Sequence, residues 1–362
     1  MKEQTSKPSV DSTKYRIELK KLDSYDKSLL DRWTYANVDS SELENESTWK
    51  IRAKRIEMEG YSIHLLIEKN VKVTQDKTAD CLIILMKSKI LENGYLKGIT
   101  LDNAEVIYNR LIPLNLFKCS LETFLSEGCL TDTDFKIDRV IDMETFDYSI
   151  KILKELSRIT KIKDQGFTHY NEKNNKGIEW GKRESSAYMT SPYIKMYHKG
   201  LELKGKSKDF KDAHLGNVDT NNLVRLEATV KNKTHYKKFG IIDTSLKGVL
   251  SLSQDDLMNI ITKSLQSHLT GTTVIKTKAK NPNKMSPTEI IICQSLIGMM
   301  EGANMTYEGV KDFMLSPIHD RKEKSRKKKL IERIYLTQIK GEDLDKKVIQ
   351  MNGFLRTMGV AI

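Results

Sequence analysis

The sequence predicts an α+β fold: a central, mostly antiparallel sheet with helices on one face, followed by a smaller helical C-terminal domain. Three observations predict it. Residues 61–68 (YSIHLLIE) and 79–86 (ADCLIILM) are strand-length runs of β-branched and leucine residues bounded by turn signals at Asn70 and Asn93-Gly94. Residues 134–141, 193–199 and 224–231 alternate polar with apolar, as half-buried strands do, and they lie far apart in the chain. Beyond residue 253 the texture changes to helical apolar spacing, interrupted by a basic linker at 271–284.

The 362 residues suffice for two domains with real cores. Lys and Arg number 61 against 49 Asp and Glu, and this formal charge of +12 favours a polyanionic partner without naming one. No apolar run approaches the roughly 20 residues that cross a bilayer, so no membrane partner is expected. Residues 1–14 are polar, read as a disordered tail, and lack the apolar stretch of a secretory signal, which predicts a cytoplasmic protein. The four cysteines (81, 119, 129 and 293) form no C-x-x-C pair and are read as free thiols.

Residues 15–30 and 48–59 are charge-rich without a clean period, and no element is assigned there. A helix over 101–111 places Ala104, Ile107, Tyr108 and Leu111 on one face and stops before Pro113. A second, over 150–162, does the same with Leu153, Leu156 and Ile159. Residues 251–285 comprise a helix and a basic linker that lacks periodicity. From 286 to 362 the chain reads as helical. Ser286-Pro287-Thr288-Glu289 is a capping box with proline at the first helical position, and the helix it opens is followed by a turn and a second short helix at 307–314, the spacing of a helix-turn-helix. Seven of the nine residues 321–329 are basic.

The three alternating segments carry the chemistry. Residues 132, 134 and 138 put carboxylates on one face of a strand, Arg225, Glu227 and Thr229 share the polar face of another, and Tyr193, Tyr197 and neighbouring lysines that of a third. Brought together, they suit phosphoryl transfer to a phenol. A tyrosine is only about 0.1% ionised at neutral pH, so it attacks a phosphodiester only where cations stabilise the developing charge. Carboxylates would hold Mg²⁺ or Mn²⁺, both of which prefer oxygen ligands. No Walker-type phosphate loop is present, which argues against an ATPase or helicase.

Residues 177–186 (GIEWGKRESS), followed by 194–203 (IKMYHKGLEL), resemble the G-x-x-x-G-x-R-x-S … Y-x-K-x-x-E signature of rolling-circle replication initiators, the plasmid Rep_trans class and phage gene II/X proteins. Residues 133–138 are similar to that family's acidic strand and 223–227 to its R-x-E strand, in the same order; the resemblance spans roughly residues 80–235. It implies a metal-dependent endonuclease and strand transferase in residues 15–250, which nicks one strand of an origin and stays joined to the 5′ phosphate. Tyr197 would be the nucleophile with Lys199 assisting, and Asp134, Asp138 and Glu227 would hold Mg²⁺ or Mn²⁺ on the open face of the sheet. Arg183, Arg225, Arg321, Lys322, Arg326, Lys327, Lys328 and Lys329 would contact DNA. Implied partners are single-stranded or supercoiled origin DNA, a host helicase and polymerase, and a second copy in a homodimer. The alternatives are a relaxase that starts conjugative transfer and a DNA-binding regulator without the chemistry.

Two departures matter. No two of the seven histidines stand at H-x-H spacing, so the histidine-ligated variant of these initiators is excluded and carboxylates are left as ligands. Tyr193, four residues before Tyr197, would lie about 13 Å from it on a strand, too far to share one phosphate.

Overall fold

The computed structural model describes residues 6–31, 54–73, 78–159, 168–169, 177–180, 192–216, 218–231, 233–269, 285–339 and 341–360. They divide into two compact units: residues up to 143 together with 165–268, and 144–164 together with 269–362.

The first unit is built on one antiparallel sheet. Its strands are β1 (Ser9–Glu18), β2 (Lys54–Met58), β3 (Tyr61–Lys72), β4 (Thr78–Lys87), β5 (Cys129–Val140), β6 (Thr168–His169), β7 (Gly177–Trp180), β8 (Tyr193–His198) and β9 (Leu223–Val230). They pair in the order β2-β3-β4-β1-β5-β9-β8-β7-β6. The longer helices of this unit are α1 (Ala104–Leu111), α2 (Leu121–Ser126), α4 (Lys199–Lys204), α5 (Lys233–Lys238), α6 (Leu246–Leu250) and α7 (Gln254–Leu269). The helix α3 (Met143–Ile159) belongs to the second unit, with α8 (Pro287–Ile297), α9 (Tyr307–Leu315), α10 (Arg321–Ile334) and α11 (Gly341–Thr357). The fold is α+β with a helical C-terminal region. No described helix is long and apolar enough to cross a membrane.

The polar N-terminal stretch is corrected by β1. Residues read as a disordered tail up to 14 contribute a strand that lies between β4 and β5 and holds the two halves of the sheet together. Val10, Thr13, Tyr15 and Ile17 are buried while Lys14 and Arg16 point away from the core. Two register shifts against β5, at Ser12 and Lys14, break the simple alternation that would have marked the strand in the sequence. Tyr15 anchors it, its ring tilted against that of Phe124 of α2 with centroids 4.7 Å apart and its hydroxyl donating to the Phe124 carbonyl at 2.9 Å.

In the centre of the sheet the two faces differ sharply. Phe135 and Ile137 of β5, Leu226 and Ala228 of β9, and Ile194 and Met196 of β8 are all fully buried on one side. Burying such side chains stabilises by roughly 1.5–3 kcal/mol each, so this apolar face is what fixes the register of the three strands. The opposite face carries the polar residues.

Candidate functional site

Pairing in an antiparallel sheet puts directly opposed residues on the same face, with side chains about 5 Å apart. Asp138 of β5 opposes Arg225 of β9, which opposes Tyr197 of β8, which opposes Gly177 of β7. One step along, Lys136, Glu227, Lys195 and Glu179 form a second row. A third brings Asp134, Thr229 and Tyr193 together. The three alternating segments are therefore neighbours, and their polar faces coincide.

Gly177 has a specific part in this. A Cβ there would stand 2.7 Å from the Tyr197 Cβ and also meet the Met196 carbonyl, so only glycine lets β7 lie this close beside the phenol-bearing residue. β8 ends at His198, whose Nδ1 accepts from the Leu201 amide at 3.0 Å and caps α4. Lys199 therefore starts a helix rather than continuing the strand, and its ammonium turns back over the sheet.

The Tyr197 hydroxyl donates to Glu227 Oε1 at 2.6 Å, and Lys199 Nζ lies 3.4 Å from the same phenol oxygen. Lys199 also pairs with Glu202 of α4 at 2.7 Å, and Lys195 pairs with the other oxygen of Glu227. Arg225 binds both oxygens of Asp138, at 2.6 and 2.9 Å, and reaches Asp11 of β1 at 2.7 Å and the Tyr95 hydroxyl at 3.2 Å. Lys136 completes the set with a 2.6 Å bond to Asp138 and another, also 2.6 Å, to the Leu96 carbonyl. Asp11, Asp138, Glu202 and Glu227 are thus matched by Lys136, Lys195, Lys199 and Arg225.

Burial sets the electrostatics. Tyr197 is only 4% exposed, and desolvation, reinforced by the nearby Glu227 carboxylate, pushes its phenol well above the ordinary value of 10. Burial alone would raise Asp138 and pull Lys199 down. The Arg225 and Lys136 cations instead hold Asp138 below the carboxylate range, and Glu202 keeps Lys199 above the lysine range. Glu202 itself, against its own desolvation, is drawn down to about 2 by Lys199.

Several sequence expectations need correction. The polar face is not open: the segment Ser88–Lys97 crosses it, tied down by Ser88 to Asp11, Lys89 to Ser207, and Tyr95 to Arg225. Arg225 is fully buried and bonded inside the cluster, so it is no DNA contact. Asp134, Asp138 and Glu227 do not converge as a ligand set. Asp134 and Asp138 are four residues apart on one strand, about 13 Å by the strand rise. Asp134 accepts from Ser12 and Thr229, Asp138 is held by Arg225 and Lys136, and Glu227 by Tyr197 and Lys195. Among the described residues no group of three His, Cys, Asp or Glu could hold a metal ion. The donors do not fit a divalent ion.

Tyr193 is buried and bonded to Glu179. Arg183 and the basic linker after residue 269 lie outside the described residues. Arg321, Lys322, Arg326, Lys328 and Lys329 are exposed along α10, with Lys327 half-buried. Sequence reasoning missed Asp11, Tyr95, Lys136 and Glu202, and placed Lys195 on the shared face without giving it a role. Lys136 shares the parity of Asp134 and Asp138, and Glu202 ends the Y-x-K-x-x-E motif, so both carried a signal. Asp11 carried none, because its strand was not recognised.

No protein-family model matches the chain, and no curated protein matches it. Among solved structures it is distantly similar to a rolling circle replication initiator protein from Geobacillus stearothermophilus, at 12% identity and a TM-score of 0.33, over 72% of this chain and 85% of that one.

Proposed function

We propose that the chain is a DNA-nicking replication initiator of the rolling-circle kind, with Tyr197 as nucleophile. The observation that carries this reading is the 2.6 Å hydrogen bond from the Tyr197 hydroxyl to Glu227, with the Lys199 ammonium 3.4 Å from the same oxygen. Two motifs distant in sequence supply those groups, Tyr197 and Lys199 from one and Glu227 from the other, and they lie on adjacent, paired strands.

The phenol is protonated at neutral pH, so it must lose its proton as it attacks. Glu227 Oε1 is in place to accept it, and Lys199 stabilises the negative charge that grows on the phenol oxygen. The new bond joins that oxygen to phosphorus, and the bond from phosphorus to the 3′ oxygen breaks. The 3′ oxygen leaves with the electron pair and takes a proton from water. Rejoining is the reverse: the 3′ hydroxyl attacks phosphorus and gives its proton to water, the bond from phosphorus to the tyrosine oxygen breaks, and that oxygen recovers its proton from Glu227. Because Tyr197 is buried, DNA reaches it only if what covers the polar face, Ser88–Lys97 included, moves aside.

That burial favours a second reading, a DNA-binding protein in which the matched charges serve only to hold β1, β5, β8 and β9 together. Incubation with supercoiled phage or plasmid origins, with and without Mg²⁺ or Mn²⁺, followed by denaturing electrophoresis and peptide mass spectrometry, separates the two. The nicking reading expects a DNA adduct on Tyr197 that vanishes in Tyr197→Phe while binding persists. Intact binding with no adduct on any origin leaves the regulator.

A further inference from the structure

The helical unit presents a surface that the phenol chemistry does not use. Its core is formed by Ile292 and Leu296 of α8, Val310 and Leu315 of α9, and Ile331 and Ile334 of α10. Two contacts lock α10 against the other helices: Arg333 bonds Glu289 at 2.6 Å, and the Tyr335 ring just beyond it stacks on Tyr307 at 3.8 Å. All of these anchor the second half of α10. Its first nine residues, 321–329, place nothing in that core.

Those nine residues are nonetheless helical from the start. The Asp320 carboxylate accepts from the Glu323 amide at 2.7 Å and caps the helix. The basic run is therefore a rod about 13 Å long standing out from a braced three-helix core. Seven of its side chains are basic, against Glu323 and the capping Asp320. No ion pair ties any of the seven to a described acid. Lys322, Arg326 and Lys329 fall on one face, opposite the Ile331 anchor.

We infer that the basic half of α10 lies in the major groove of duplex DNA, with α9 crossing the phosphate backbone before it. A groove about 12 Å wide accepts a single helix, and α9 and α10 are joined by the five-residue turn 316–320, one residue longer than the usual helix-turn-helix connection and one helix further along than the pair the sequence suggested. Other polyanions fit less well. Residues 316–330 contain no Phe, Tyr or Trp on which unpaired bases could stack, and 321–329 contain no apolar residue to enter a bilayer surface. The inference goes beyond the nicking reading, since a regulator without the chemistry would use the same helix.

The test is fluorescence anisotropy with the full-length Tyr197→Phe protein, which reads binding alone and so remains decisive even if nicking fails. The probes are a duplex, either of its single strands, and phosphatidylserine vesicles, each across a salt series. Replacing Lys322, Arg326 and Lys329 together by Gln is expected to weaken duplex binding about tenfold or more and to flatten its log–log salt slope by up to about 3. Replacing Lys322 and Lys329 by Arg should preserve both. An unchanged duplex slope overturns the inference, as does an equal loss on the single strands or a loss confined to the vesicles.

Discussion

Arg225 shows how one side chain decides between two readings of the same motif. As a DNA contact it would sit in solvent, and its removal would weaken binding and leave the fold alone. It lies instead at full burial between Asp138 and Asp11, with its fork on both oxygens of the first. Removing one partner of a buried ion pair leaves an uncompensated charge, which costs roughly 3–5 kcal/mol. Arg225→Ala is therefore expected to lower the unfolding free energy of the sheet unit, measured by urea titration, by an amount of that order. Arg225→Lys should recover only part of it, because an ammonium cannot form the two parallel bonds that a guanidinium makes. An Arg225→Ala protein as stable as the parent would return the residue to the surface role.

The strands show where the sequence was legible. From Asp134 to Asp138 of β5, and along β8 and β9, polar and apolar side chains alternate, and there the pattern announced which residues share a face. It did not announce their spacing along that face. Asp134 and Asp138 point the same way, yet the strand rise keeps them about 13 Å apart, so parity could never have made them joint ligands. β1 was illegible for the opposite reason, since its register shifts at Ser12 and Lys14 scramble the alternation. The cover over the site was hidden too, because Ser88–Lys97 is 3-10 structure with a kink at Glu92 and has no sustained period. The carboxylate pairing has a direct consequence. A divalent ion would have to displace Arg225 and Lys136 from Asp138, or Tyr197 and Lys195 from Glu227. Mn²⁺ titration followed by electron paramagnetic resonance is expected to find no stoichiometric site. A single bound Mn²⁺ that is lost in Asp138→Asn would reverse that expectation.

In the whole chain the excess of positive charge lies outside the cluster, where four acids answer four bases, and is concentrated instead on surfaces such as the first half of α10. The sheet unit thus carries its acid sensitivity inside. Asp11, Asp138 and Glu202 are all depressed, against their own burial, by neighbouring cations. A depressed carboxylate contributes stability that is full above its ordinary value and is lost as the pH falls through its folded value. For Glu202 the interval runs from 4.5 down to about 2, worth up to about 3 kcal/mol. Lys199 is raised, so its contribution is intact below 10.5 and is lost only as the pH climbs beyond that. Stability should therefore be level across neutral pH, decline below about pH 5 as these carboxylates protonate, and decline again in strong alkali. Urea unfolding followed by circular dichroism at pH 7, 5 and 3 measures the acid limb, and Glu202→Gln should flatten it between pH 5 and 3. A midpoint that holds constant from pH 7 to 3 would mean that the four matched pairs are not what fixes the strands to one another.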